Sequence, residues 1–87
     1  MELARAEHEY QACLLSGESN LGTCCWLASW HLEKMSYIEA RKYLGHACYM
    51  NPTRVSVWIA LCICCALGND LKESTVAIQE ATRLLER

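Results

Sequence analysis

Apolar residues along this chain recur at spacings of three and four, the period of a helix with one buried face. Five such segments follow one another. In residues 2–17, Leu3, Ala6, Tyr10, Cys13 and Leu14 form one stripe, and Glu7, Glu9 and Gln11 lie off it. Gly17 suits a helix end, and Ser19 or Asn20 suits the N-cap of the next segment. Residues 21–34 carry two stripes, one of Cys24, Leu27, Ala28 and His31 and a second of Trp26 and Trp30. A helix apolar on two faces touches two neighbours. Ser36 and Glu39 have the Ser-x-x-Glu spacing of a capping box, which predicts a third helix to Met50 on Tyr37, Ala40, Leu44 and Ala47.

The break at Asn51-Pro52-Thr53 follows because proline disfavours a helical residue before it. A fourth helix, to Leu67, carries Trp58, Leu61, Cys62 and Cys65, with Trp58 expected in the core. Gly68-Asn69 ends it. Asp70 and Glu73 repeat the capping-box spacing, and a fifth helix then runs to about Leu85 on Leu71, Ser74, Ile78 and Ala81. The predicted class is all-α, five helices paired as antiparallel helical hairpins.

A shift of 34 residues superimposes these stripes by size. Ala6, Ala40 and Ser74 coincide, as do Cys13, Ala47 and Ala81, all small. Tyr10, Leu44 and Ile78 coincide, as do Leu3, Tyr37 and Leu71, all large. In the other helix type Cys24 falls on Trp58, Leu27 on Leu61, Ala28 on Cys62 and His31 on Cys65. With Pro52 closing the unit, this spacing resembles the tetratricopeptide repeat, a 34-residue helix–turn–helix element. The chain departs from that pattern at Cys24, which replaces a large aromatic, at Ala28 and Cys62, where the family has Gly, and at His31 and Cys65, where it has Tyr.

The resemblance implies a single domain over residues 1–87, with a half repeat at 2–17 and repeats at 21–54 and 55–87. It implies an α-solenoid, a right-handed superhelix whose concave groove is lined by the first helix of each repeat. Mapped onto this chain, the lining is Gly22, Cys25, Ser29, Leu32 and Glu33, then Ser56, Ile59, Ile63 and Ala66. Such a groove is almost uncharged and suits an aliphatic peptide, a helix or a partner subunit. Family members that clamp a chaperone's C-terminal carboxylate use Lys, Arg and Asn there, so that activity is not expected. Trp26 and Trp30 are expected to face a preceding unit or a partner protein. Two and a half repeats fall short of the roughly three that such arrays need, so the chain reads as a slice of a longer array.

Composition narrows the function further. The 87 residues are 53% hydrophobic and 21% charged, which excludes disorder, and the net charge of −2 argues against a nucleic-acid surface. Arg41, Lys42 and Arg54 read as a solvated face rather than phosphate contacts; an RNA-binding array is the weaker alternative. No secretory leader is visible, and the apolar run from Val55 to Leu67 is too short for a bilayer. Seven cysteines, an odd number with few turns between them, read as reduced thiols of a cytoplasmic or nuclear protein.

Cys62 and Cys65 share a helix face, and with His46, Cys48 or His31 they form the alternative reading, a zinc or redox-sensitive site. The 34-residue shift instead assigns both to small slots in a helix seam, with no metal and no cofactor. Cys25 is the more exposed thiol expected if it faces the groove. His31 is expected between helices, and His8 and His46 on the surface. No nucleophile signature and no phosphate loop accompany them, so the expected function is a non-catalytic protein-interaction module.

Overall fold

A computed structural model describes residues 2–16 and 21–86. Among them are five helices and no strand: α1 (Leu3–Ser16), α2 (Leu21–Glu33), α3 (Tyr37–Met50), α4 (Val55–Leu67) and α5 (Leu71–Leu85). The expected helix end at Gly17 and the caps at Ser19 or Asn20 lie outside the described residues. Packing is chiefly between sequence neighbours, most extensive for α4 on α5 and α2 on α3, then α3 on α4 and α1 on α2. Three-residue links at 34–36 and 68–70 make α2–α3 and α4–α5 helical hairpins.

The helix boundaries carry the 34-residue period. Leu3 and Tyr37 begin α1 and α3, and Ser16 and Met50 end them; Leu21 and Val55 begin α2 and α4, and Glu33 and Leu67 end them. The hairpin turns share a left-handed residue and two closing bonds. Met35 and Asn69 both take the left-handed conformation, with φ of 59° and 63°. The Ser36 N–H donates to the His31 carbonyl and the Asp70 N–H to the Cys65 carbonyl, each at 2.8 Å. The Met35 N–H donates to Leu32 and the Asn69 N–H to Ala66, each at 3.1 Å. These pairs of bonds are the Schellman closure, which satisfies carbonyls that a helix end leaves open. Gly68, with φ of −86°, is not needed for the left-handed residue; a Cβ there would sit 3.1 Å from the Tyr37 Cβ, so glycine serves a close approach of α4 to α3.

The two predicted capping boxes divide. Asp70 accepts the Glu73 N–H at 3.2 Å, as a cap should. Ser36 stands at the N-cap of α3 but makes no side-chain cap bond, which corrects the first prediction. The backbone is alike at the two caps, with φ and ψ of −89° and 71° at Ser36 and −96° and 77° at Asp70, so the difference lies in the side chain: the Asp70 carboxylate reaches one bond further than the Ser36 hydroxyl, while Glu39 pairs with Lys42 at 3.6 Å.

Small residues fill the seams as expected. Ala6, Ala40 and Ser74, the same register position in three helices, are all buried, as are Ala47 and Ala81. Tyr10 and Leu44 are buried in the large slot, but Ile78 in the same slot of α5 is 42% exposed. Leu71 and Leu14, also on predicted stripes, are exposed. Tyr10 is packed closely, its ring edge-on to Tyr43 at 4.8 Å and to His46 at 5.2 Å. Trp58, expected in the core, is half-buried, with its indole N–H donating to the Pro52 carbonyl at 2.9 Å. The core also takes in Thr23, Tyr43, Cys48, Val57, Cys64 and Ala77, which no single stripe contained.

Candidate interaction surface

The residues expected to line a groove form an outward face on α2 and the equivalent face on α4. Gly22, Ser29 and Glu33 are exposed on α2, and Ser56, Ile59, Ile63 and Ala66 on α4. Cys25 and Leu32 are half-buried, and Leu32 packs against the core. Glu33 is the one charge among the nine positions. On α4, a helix with no charged residue, Ile63 is 53% exposed and Ile59 and Leu67 lie open beside it. None of the nine lines either of two hollows among the described residues. One, of about 440 Å³, lies among Glu7, His8, Gln11, His31, Glu39 and Lys42. The other, of about 230 Å³, lies among Tyr37, Arg41, Cys64, Gly68 and Asp70.

Trp26 and Trp30 are half-buried, Trp26 against the core and Trp30 edge-on to His31 at 5.0 Å, with the Lys34 ammonium 5.6 Å above its ring. Cys64, at the register position of Trp30, gives its thiol to the Tyr37 carbonyl of α3 at 3.4 Å. By the same register, Trp30 belongs to the face of α2 turned towards α1. His31 occupies the inter-helix slot as expected, stacked on Tyr43 at 5.5 Å, and both its ring nitrogens are enclosed without a hydrogen-bond partner. His46 is half-buried rather than on the surface, with its Nδ1 4.0 Å from the Cys24 sulfur; α3 carries it into the space beside Tyr10.

That Cys–His contact does not make a nucleophile. Burial pushes the Cys24 thiol up to about 11, with Cys25 adding to the shift, and burial does the same to Cys48. Burial also raises Cys64 and Cys65. A reactive nucleophilic thiol needs the opposite shift, towards thiolate. Among the described residues no three of His, Cys, Asp and Glu converge in a metal-holding group. Cys62 and Cys65 are taken up in packing: the Cys62 sulfur meets the Ser74 hydroxyl at 3.2 Å in the α4–α5 seam, and Cys65 is buried.

The cations are dispersed. Arg41 pairs with Asp70 across the α3–α5 gap, and Lys42 lies beside Glu39 and 4.9 Å above the Tyr43 ring. No described helix is long and apolar enough to cross a membrane. Comparisons with protein-family models, with curated proteins and with solved structures find no match.

Proposed function

We propose that the chain is a non-catalytic protein-interaction segment of tetratricopeptide-repeat type. It holds an aliphatic peptide or helix against the outward faces of α2 and α4. The observation that carries the reading is the recurrence of helix boundaries and turn closures at the 34-residue period of that repeat. The uncharged character of the two faces, with Ile59 and Ile63 open to solvent, supports an apolar ligand and argues against a carboxylate clamp. The neutral, buried thiols support a structural role for the cysteines. In this reading the 87 residues form one two-and-a-half-repeat superhelical unit, acting as an adaptor or scaffold in the cytoplasm or nucleus.

Panning a random peptide library against the purified chain tests it. Aliphatic sequences are expected to be enriched, to shift the amide resonances of α2 and α4, and to bind an Ile59→Asp/Ile63→Asp variant at least about tenfold more weakly, since hot-spot loss exceeds that. Enrichment of acidic C-terminal peptides, or binding that ignores both isoleucines, refutes the proposal.

A further inference from the structure

The outer edge of α5 carries a second surface, independent of the α2 and α4 faces. Leu71, Thr75, Ile78, Thr82 and Leu85 follow one another at alternating steps of four and three, the spacing of a helix-pairing seam. Leu71 and Leu85 are each 68% exposed and flank Ile78 symmetrically, seven residues to either side. The two threonines do not make this stripe polar. The Thr75 hydroxyl donates to the Leu71 carbonyl and the Thr82 hydroxyl to the Ile78 carbonyl, each at 2.8 Å. With both hydroxyls bonded to their own helix, the threonines offer methyl groups to anything that docks. The same register position on α3 shows what such a stripe does when covered: Leu44 is 3% exposed beneath its neighbours.

One flank of the stripe is closed. Ser74 and Ala81 are buried, and the Ser74 hydroxyl donates to the Cys62 carbonyl of α4 at 3.0 Å. The open flank carries Lys72, Gln79 and Glu86, also at steps of seven. A parallel partner helix would set this flank against the closed one, which α4 already occupies. An antiparallel partner sets it against its own copy. Lys72 then faces Glu86 of the second chain, Glu86 faces Lys72, and Gln79 faces Gln79. Apolar and charged positions are thus both self-complementary about Ile78, as a two-fold interface requires.

We propose that α5 is a self-association surface, pairing antiparallel with α5 of a second copy of this chain about an axis at Ile78.

Sedimentation equilibrium of the full chain over a range of concentrations tests the pairing. The expected result is a reversible dimer of twice the 9.9 kDa chain mass. Ile78→Asp is expected to weaken dimerisation at least tenfold. Because Ile78 is only partly covered in the monomer, its helix content is expected to persist. Lys72→Glu and Glu86→Lys each replace two attractions by two repulsions and are expected to weaken the dimer about threefold or more. The double variant restores both pairs and is expected to recover the wild-type association. A monomer at all concentrations, as a chain built to receive a different helix would give, overturns the proposal. So does a dimer indifferent to Ile78→Asp, or a double variant no better than the single ones, which excludes the antiparallel register.

Discussion

Leu27→Ala tests whether the seam slots found by register hold the fold. Leu27 lies mid-way along α2 with no exposed surface, in the cluster that contains Ala28, Ala40 and Leu44. The substitution removes three carbon atoms, and at about 0.8 kcal/mol for each buried group the lost transfer energy is about 2.4 kcal/mol. The cavity left between α2 and its neighbours adds to this, for a total of about 3–4 kcal/mol. A chain of 87 residues has a stability of roughly 4–13 kcal/mol, so the variant forfeits a large part of it. Leu61 occupies the same slot one period later but is half-buried, and Leu61→Ala should cost about half as much. Urea unfolding followed by far-ultraviolet circular dichroism reads both. With a slope of about 1 kcal/mol per molar urea, the Leu27→Ala midpoint falls by about 3 M and that of Leu61→Ala by about half of that. A Leu27→Ala cost below about 1 kcal/mol, or equal costs at the two positions, refutes the packing.

Two further outcomes follow. Asp70 both caps α5 and pairs with Arg41, so Asp70→Ala should cost about 1–2 kcal/mol in the same unfolding assay, whereas Asp70→Asn, which keeps the cap, should cost well under 1 kcal/mol. Cys24 and Cys48 are raised by burial from an ordinary 9.0 to about 11, so the folded chain holds protons that the unfolded chain releases at lower pH. Their contribution is full below pH 9 and is lost as pH rises from 9 to 11; denaturation midpoints across that window should fall, and brief alkylation at neutral pH followed by peptide mass spectrometry should label Cys13, Cys25 and Cys62 before Cys24, Cys48, Cys64 and Cys65.

The helix spans were legible in the sequence because three- and four-residue spacing reports one buried face, and Pro52, Asn69 and Asp70 punctuate it. The second faces of α3 and α4 were not. Tyr43, Cys48, Val57 and Cys64 are buried because α3 and α4 each have neighbours on two sides, and a stripe chosen for one neighbour omits the other. Ile78 and Leu71 failed in the opposite sense. Their pattern is that of Leu44 and Tyr37, and pattern alone does not show whether a further helix covers it. Nothing in the sequence marked Met35 for a left-handed turn, since methionine has no preference for it; only its position one period before Asn69 does. The candidate interaction face was readable as a register set, in which Leu32 packs against the core while Ala66, its counterpart one period later, is exposed.

One register with two side-chain inventories separates what the backbone demands from what chemistry is free to vary. In the α2–α3 hairpin the seam position of His31 faces Tyr43, and two large rings stack there. One period later the same positions are Cys65 and Ala77, both small and both buried. A seam of small groups and a seam of stacked rings both close, and the two hairpins are packed to a similar extent. The ring seam also encloses two imidazole nitrogens with no partner, whereas the thiol seam meets its polar atoms through Ser74. An enclosed, unpaired polar group costs about 1–3 kcal/mol, a cost borne by the ring seam alone of the two. The α4–α5 hairpin carries Ile59 and Ile63 on one helix and the Leu71–Ile78–Leu85 stripe on the other. Exposed apolar surface is safest on the element least prone to open, because local unfolding would otherwise merge it with newly exposed core. Of the two candidate contact surfaces, the α5 stripe and the α4 half of the other therefore depend on the packing of α4–α5, and the α2 half depends on that of α2–α3.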